Sequence, residues 1–262
     1  MARRKSIVIG YGLALCLGLL GACAPRLQTP SPQLPLPLPT PPRVTWVLPG
    51  NPLPHTDDFE TYPVGAVLPR VAPDRYGLLA KEWANATIAE ALDAEGRTTK
   101  ALRLAGGLGS NFLTTGAPDW SHYRLRLDFK SLGNPYWGSA GFLIRILVSG
   151  TGDRGLELYF GLGGASLAKV LGEQKETFLQ RAEVREVTSK AIRDRLWHRL
   201  TVEVRSTGEK GKAPVNVSLF LDDGLLLSWT EQDFAQGGVA FGIQDPDLVV
   251  YVDKLEILPI GD

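Results

Sequence analysis

The stretch "NVSLFLDDGLLLSW" at residues 216–229 places two aspartates and a glycine between two apolar runs. In "VNVSLFL", residues 215–221, every odd-numbered residue is valine or leucine, which is the period-two pattern of a half-buried β-strand. Asp223-Gly224 is a strong signal for a two-residue turn, because glycine accepts the positive φ that a tight hairpin needs. The stretch therefore predicts a β-hairpin, with Asp222 and Asp223 as turn-forming residues and not as a catalytic carboxylate pair.

Segments with the same alternation recur along the chain, and turns rich in glycine or proline separate them. They are "YRLRLDF" (123–129), "GFLIRILV" (141–148), "GLELYF" (155–160), "LTVEV" (200–204), "GGVAFGI" (237–243) and "VVYVDKLEI" (249–257). Only residues 184–196 have a pattern that predicts a short helix. Because strands and helices do not alternate regularly, the sequence predicts an all-β fold, either an antiparallel sandwich or a barrel.

Residues 197–257 carry a family resemblance. The segments "WHRLTVEVRSTG", "VNVSLFLDDGLLLSW" and "GGVAFGIQDPDLVVYVDKLEI" resemble the concanavalin A-like lectin/glucanase superfamily, which includes laminin G-like modules. The matching residues are Trp197, Asp223, Gly224, Gly238 and Asp253. "DDFET" at 57–61 is similar to the first strand of that superfamily, and "YRLRLDFK" followed by "GFLIRI" resembles its paired central strands.

The resemblance implies a domain over residues 55–262 with a concanavalin A-like fold. That fold is a jelly-roll β-sandwich of two antiparallel sheets in which the first and last strands pair. It also implies that carbohydrate binds on the outer, concave surface of the more curved sheet.

The N-terminus has the pattern of an export signal, with basic Arg3, Arg4 and Lys5 before an apolar stretch over residues 6–20. The "LGAC" that follows at 20–23 resembles the lipobox of bacterial lipoproteins, whose cysteine is acylated after cleavage. We therefore expect a signal peptide over 1–22. The exported protein is expected to be lipid-anchored to the bacterial cell membrane or outer membrane.

Cys23 is the expected site of lipidation and of the contact with the membrane. The other cysteine, Cys16, lies in the signal peptide, so the mature domain is expected to contain no disulfide. Residues 23–54 are expected to be a tether, because proline recurs at almost every second position over 35–42. The proline-rich part, residues 24–42, favours polyproline II, and at about 3.1 Å per residue it reaches roughly 55 Å. The alternative for this segment is a proline-rich ligand of a recognition module.

The charge balance bears on partners. The chain has 28 Lys and Arg residues and 28 Asp and Glu residues, so its formal net charge is zero. Nucleic-acid binding depends largely on neutralising phosphates with a basic surface. We therefore expect no nucleic-acid partner.

The strand pattern also gives candidate ligand-binding residues. Arg145, Glu157 and Tyr159 alternate with an apolar set, so they are predicted to point outward, on the face where the resemblance implies carbohydrate binding. That apolar, core-facing set includes Phe142, Ile144, Leu158 and Phe160. Tyr136 and Trp137 stand in the loop "NPYWGS" at 134–139, where an aromatic ring is available to stack on a sugar. The alternative for both sets is a role in packing.

Asp253 falls on the same parity as apolar residues of its strand, which is an unusual place for a charge. If the first and last strands pair as the resemblance implies, Asp57 or Asp58 lies nearby and shares a calcium ion with it. The alternative is a bulge, or an aspartate that is hydrogen-bonded to a neighbouring backbone. The sequence thus indicates either no cofactor or Ca²⁺.

The sequence carries no clear catalytic pattern. Retaining sugar hydrolysis needs two carboxylates about 5 Å apart, and the Glu-x-Asp-x-(x)-Glu strand of the family 16 glycoside hydrolases is absent, since Glu157 stands alone. We therefore expect a non-catalytic binding module of the cell envelope, for carbohydrate or another envelope component. One alternative is a sugar hydrolase related to the keto-disaccharide hydrolases, which share a phrase like "SAGFLIR" at 139–145. The other is a structural or assembly protein that binds an envelope protein.

Overall fold

The computed structural model describes residues 50–68, 79–81, 86–105, 112–133, 144–151, 154–171, 175–243 and 247–261. All of them belong to one unit, residues 40–262. The described residues form fifteen strands and one helix. The elements are β1 (His55–Asp57), β2 (Leu79–Lys81), β3 (Ala86–Leu92), β4 (Thr98–Ala105), β5 (Phe112–Thr115), β6 (Tyr123–Gly133), β7 (Ile144–Thr151), β8 (Arg154–Gly161), β9 (Gly164–Leu171), β10 (Lys175–Ala182), α1 (Arg185–Arg193), β11 (Trp197–Ser206), β12 (Val215–Leu221), β13 (Gly224–Glu231), β14 (Gly238–Ile243) and β15 (Leu248–Pro259).

The strands form two antiparallel sheets. The larger sheet has the order β13-β12-β11-β6-β15-β4-β3, with β1 also beside β15, and the smaller sheet has the order β10-β9-β8-β7-β14-β5-β2. The predicted all-β sandwich of two antiparallel sheets is confirmed. The predicted pairing of "YRLRLDFK" with "GFLIRI" is wrong, because β6 lies in the larger sheet and β7 in the smaller one.

The core lies between the sheets. Strand β12 buries its odd-numbered residues, as the alternation predicts, and the rings of Phe129 and Phe160 meet edge to face, with centroids 5.9 Å apart. Helix α1 contacts β6 of the larger sheet and β8 and β9 of the smaller one, and it buries Thr188, Ala191 and Ile192. The helix therefore contacts both sheets.

The hairpin between β12 and β13 turns one residue earlier than predicted. Asp222 and Asp223 are the two turn residues, with φ of 48° and 67°, and Gly224 is the first residue of β13, paired with Leu221. Aspartate tolerates this left-handed conformation better than most residues do. The hairpin itself is confirmed.

Strand β15 changes its neighbour along its length. Residues Val249–Val252 pair with β4, whereas Leu255–Ile257 pair with β1, which confirms the pairing of the first and last strands. The predicted position of the first strand at 57–61 is wrong, because β1 ends at Asp57. A β-bulge between Val252 and Lys254 lies at the point of change. Because an extra residue reverses the alternation, Val252 and Leu255 are both buried in the core while Asp253 lies on the outer face. Asp253 therefore does not share a face with Leu255 and Ile257, and the alternative of a bulge is confirmed.

Residues 1–49, with the predicted signal peptide, Cys23 and most of the predicted tether, lie outside the described residues. Within the part of the chain that is described, no helix combines the length and the apolar character needed to cross a bilayer.

Candidate functional site

A cleft of about 330 Å³ opens on the outer face of the larger sheet, and we call it the hairpin cleft. One wall is the turn between β3 and β4. Pairing of β4 with β15 stops at Leu102 and Val252, so the end of the β3–β4 hairpin is free to lie over the sheet. Across the cleft, Trp197 Nε1 donates a hydrogen bond of 2.6 Å to the Leu92 carbonyl. The lining residues are Asp93, Ala94, Glu95, Arg97, Asp128, Trp197, His198, Arg199, Asp222 and Asp253.

The floor of the cleft holds a paired guanidinium and carboxylate. Arg199 of β11 stands directly opposite Asp128 of β6, and two hydrogen bonds join them, Nε to Oδ1 at 2.6 Å and Nη2 to Oδ2 at 2.7 Å. The hydrogen bonds to Asp128 raise the pKa of Arg199. This bidentate pairing fixes the orientation of the guanidinium plane and of the carboxylate plane. Trp197 follows on the same face of β11, and Lys130 Nζ lies 5.7 Å from its ring centroid.

His198 faces the opposite side of β11, toward Phe129, and borders the cleft. Its Nδ1 lies 2.6 Å from Asp222 Oδ2, its Nε2 lies 3.0 Å from Asp194 Oδ1, and its ring lies 5.9 Å from that of Phe129. Burial lowers the pKa of His198, but the hydrogen bonds and charges of Asp222 and Asp194 outweigh it, and the net change is upward. A protonated His198 thus ties the end of α1 to the β12–β13 turn.

Asp222 does more than form a turn. Besides its contact with His198, its Oδ1 accepts a hydrogen bond of 2.8 Å from the backbone N–H of Arg199. The predicted turn role of Asp222 is confirmed, and these two contacts add to it. The carboxylate also fixes the backbone that carries the guanidinium of the cleft floor.

The turn that forms the wall is held by its own side chains. Asp93 Oδ1 accepts hydrogen bonds from the backbone N–H groups of Glu95 and Arg97, at 2.9 and 2.8 Å. The guanidinium of Arg97 pairs with Asp93 at 2.8 Å and with Glu95 at 2.9 Å. The wall therefore presents a compact, charged tip whose internal bonds do not depend on the floor.

Asp253 lies at the base of the cleft, at the bulge of β15. Its Oδ1 is 2.8 Å from Thr99 Oγ1. Burial is the largest cause that raises the pKa of Asp253, and the charges of Asp128, Asp93 and Glu60 add to it. When Asp253 is ionised it accepts a hydrogen bond from Thr99, which acts to lower its pKa and is outweighed.

The predicted sugar-binding residues lie elsewhere, on the smaller sheet. Glu157 and Tyr159 occupy the face of β8 opposite Leu158, which belongs to the core cluster, so their predicted phase is correct. Their predicted exposure is wrong, because Glu157 is 1% and Tyr159 is 4% exposed, and Tyr159 Oη donates to Glu157 Oε2 at 2.8 Å. Arg145 stands opposite Tyr159 in the register.

The rest of that predicted set is not described. The side chain of Arg145 and the whole of Tyr136, Trp137 and Phe142 lie outside the described residues. A ligand role for Tyr136, Trp137, Arg145, Glu157 and Tyr159 therefore stays a prediction.

The three aspartates predicted to bind calcium line two different clefts. Asp57 and Asp58 line a second cleft of about 300 Å³ with Thr56, Thr61, Lys254 and Glu256. The carboxylate of Asp57 accepts hydrogen bonds from the Phe59 N–H at 2.7 Å and from Tyr62 Oη at 3.0 Å. Among the described residues, no group of three or more His, Cys, Asp or Glu side chains is placed to hold a metal ion. We therefore assign no calcium site to Asp57, Asp58 and Asp253.

Sequence reasoning missed the residues of the hairpin cleft. Trp197 enters the sequence analysis only as one of the residues that carry the family resemblance. Arg199 and Asp128 each stand at outward parity on their strands, which is a signal for a polar face. What joins them is the register of β11 against β6, and the alternation of a single strand does not contain it.

Comparisons with known proteins give fold-level likeness only. No protein-family model matches the chain, and no curated protein matches it. Among solved structures, the carbohydrate-binding module CBM66 from Bacillus subtilis is 15% identical, with a TM-score of 0.40 over 67% of this chain and 96% of that one. A legume lectin-like domain from Entamoeba histolytica is 8% identical, with a TM-score of 0.43 over 62% and 84%.

A variant of the alginate lyase Aly36B in complex with alginate trisaccharide is 12% identical, with a TM-score of 0.48 over 82% of this chain and 100% of that one. These structures are carbohydrate-binding, lectin-like and alginate-degrading proteins by name. At such identities and TM-scores they carry no argument about the ligand of this chain, which must come from its own residues.

Proposed function

We propose that this protein is a carbohydrate-binding module whose ligand site is the hairpin cleft. The observation that carries the proposal is the placement of the Trp197 indole beside the bidentate Arg199–Asp128 pair on the floor of one open cleft. An indole provides a broad apolar face for a sugar ring. The fixed guanidinium and carboxylate provide donors and acceptors for hydroxyl groups at defined positions.

The size of the cleft suits a short ligand. Its volume of about 330 Å³ is at the lower end of ligand pockets, which run from about 300 to 1,000 Å³. We therefore propose that one or two sugar units of a longer glycan occupy it while the remainder of the chain extends into solvent. This mode needs neither a metal nor a deep cavity.

We further propose that the module is displayed on the bacterial cell envelope by the acylated Cys23 and the proline-rich segment. The support is the sequence "LGAC" at 20–23 and the composition of residues 24–42. Membership of the concanavalin A-like superfamily is proposed on the same terms, from the residues that carry the resemblance.

The proposal is tested by screening the purified protein on a glycan panel and measuring Kd for the best ligand with two variants. Trp197→Ala removes the ring from the cleft floor, whereas Phe220→Ala removes a ring from the same face of the sheet but outside the cleft. An aromatic contact worth about 1.4 kcal/mol corresponds to a roughly tenfold loss of affinity. We expect that loss for Trp197→Ala alone. Equal affinity of both variants would contradict the proposed site.

One observation favours a second candidate, sugar hydrolysis. Asp253, whose pKa is raised by burial, lines the same cleft as Asp128, which Arg199 holds as its ionic partner. Glycosidases use one protonated and one ionised carboxyl group on either side of the scissile bond. Release of reducing sugar from a bound glycan, abolished by Asp253→Asn with binding retained, would support hydrolysis. Binding without release leaves the non-catalytic module.

A further inference from the structure

Three segments of the chain meet at the hydroxyl group of Thr99. Thr99 belongs to β4, at the base of the hairpin that forms the wall of the cleft. Its Oγ1 is 2.7 Å from Oε1 of Glu60, in the loop after β1, and 2.8 Å from Oδ1 of Asp253, at the bulge of β15. Two carboxyl groups thus converge on one hydroxyl.

The three groups make two short contacts, but if both carboxyl groups are ionised only one proton, that of the Thr99 hydroxyl, is available for them. The hydroxyl of Thr99 carries a single proton and makes one full hydrogen bond as a donor. If Glu60 and Asp253 were both ionised, one of them would face the lone pairs of Thr99 at hydrogen-bond distance without a proton between them. One proton shared between two anions makes only a weak three-centre bond, so a contact of 2.7–2.8 Å to each favours protonation of one of the two carboxyl groups.

The surroundings decide which carboxyl group holds the proton. Glu60 is exposed, and its Oε1 also accepts a hydrogen bond of 2.8 Å from the backbone N–H of Lys100. Solvent and this donor both stabilise its ionised form. The hydrogen bond from Lys100 is the largest cause that lowers the pKa of Glu60. Asp253 is half-buried instead, and its hydrogen bond is the one to Thr99.

The charged groups around Asp253 favour the same assignment. The carboxylates that act on it are Glu60 from the loop after β1, Asp93 from the β3–β4 turn and Asp128 from β6, and each disfavours a further negative charge. The cations of the cleft are paired with other carboxylates. Arg97 pairs with Asp93 and Glu95, Arg199 pairs with Asp128, and His198 pairs with Asp194 and Asp222.

We propose that Asp253 is a neutral carboxylic acid that donates its proton to Thr99 Oγ1, while Thr99 donates to Glu60. These two hydrogen bonds form a pH-sensitive clasp on the cleft wall. The clasp joins β15 to β4 at the point where the two strands separate. Ionisation of Asp253 removes one hydrogen bond and places two anions against one hydroxyl. Lys100 still ties the loop after β1 to β4, through Nζ to the carbonyls of Glu60 and Tyr62 at 2.6 and 2.9 Å. The contact that is lost is the one to the bulge.

The effect on stability has a definite sign. The pKa of Asp253 is raised in the folded protein, so its contribution is fully present below the unfolded value of 3.8. That contribution is lost as pH rises through the folded value. Glu60 contributes in the opposite sense, because its pKa is lowered from 4.5. The difference in the free energy of unfolding between the wild type and Asp253→Asn isolates the contribution of Asp253, because an asparagine amide donates to Thr99 at every pH.

The clasp is tested by following the carboxyl carbon of Asp253 by NMR in the full-length protein, with Asp253→Asn identifying the resonance. We expect a midpoint above 3.8. In Thr99→Val the midpoint should fall, because the neutral acid loses the oxygen to which it donates, and in Thr99→Ser it should stay at the wild-type value. A midpoint at or below 3.8, or a rise in Thr99→Val, would show that Asp253 is an ionised acceptor and would overturn the proposal.

Hydrogen exchange over residues 93–101 tests the link to the cleft wall. The exchange rate of the wild type relative to Asp253→Asn should increase as pH rises through the midpoint of Asp253, and a constant ratio would refute a clasp on the wall. An effect on glycan affinity rests on the proposed function. If no glycan binds but the midpoint and the exchange ratio behave as expected, the proposed function fails and the clasp stands.

Discussion

Lys169 joins the two sheets at one end of the sandwich, and its replacement by methionine should destabilise the protein strongly. The ammonium group of Lys169, on β9 of the smaller sheet, lies 2.8 Å from Glu231 Oε1 at the end of β13 in the larger sheet. It also lies 2.6 Å from Asp233 Oδ2 and 5.6 Å from the ring centroid of Phe234. The Glu231 side chain is 1% exposed, so removing Lys169 leaves a buried carboxylate without its cation.

The magnitude follows from that burial. Removing one partner of a buried ion pair costs about 3–5 kcal/mol, much of it from the remaining charge. In a domain of this size 1 kcal/mol corresponds to about 2–4 °C in Tm, so the expected fall is roughly 6–20 °C. Burial lowers the pKa of Lys169, but its bonds to Asp233 and Glu231 outweigh it and raise the pKa overall. Lys169 is therefore a cation at neutral pH.

Lys212→Met is the matched control. Lys212 Nζ lies 2.6 Å from Glu209 Oε2, which is as short a contact, but both side chains are about two-thirds exposed. Surface pairs of this kind contribute about 0–1 kcal/mol. Urea unfolding followed by far-ultraviolet circular dichroism gives both free energies of unfolding. If Lys169→Met costs no more than Lys212→Met, the cross-sheet pair does not hold the sheets together, and the argument from burial is refuted.

Three further predictions concern other parts of the chain. Cys23→Ser should release the protein from the membrane fraction on carbonate washing, because several acyl chains are needed for firm anchoring; undiminished attachment would contradict the lipoprotein proposal. His198→Gln should destabilise the protein below pH 6.5 and progressively less above the raised pKa of His198, and a pH-independent difference would show that His198 is neutral throughout. Tyr159→Ala should cost about 3–5 kcal/mol in urea unfolding, because the ring is buried, and an unchanged stability would mean that this face is open.

The strands and the helix could be predicted from the sequence because each carries its own signal. In β12 the alternation of Val215, Val217 and Leu219 with polar residues defines a buried face without reference to any other strand. The helix predicted over 184–196 is present as α1 for the same local reason. The pairing of β1 with β15 came from the family resemblance, and the register agrees with it.

The site could not be predicted because it depends on relations between strands. Alternation assigns Glu157 and Tyr159 to the correct side of β8, but it cannot tell whether that side is covered, and both residues are buried. At Asp253 a single bulge reverses the parity, so counting along the strand gives the wrong face. The cleft arises only because the β3–β4 hairpin leaves β15 at Leu102 and lies over the outer face. No local pattern encodes that departure.

Hydrogen exchange with a bound oligosaccharide tests the central claim most directly, because it locates the ligand on the protein. The account predicts that saturating glycan slows exchange in the backbone of the β3–β4 turn, residues 93–97, and at the start of β11, residues 197–199. Residues 155–160 of β8 should exchange as in the free protein. Protection of β8 with an unchanged turn and β11 would contradict the account and move the site to the smaller sheet, where Glu157 and Tyr159 lie.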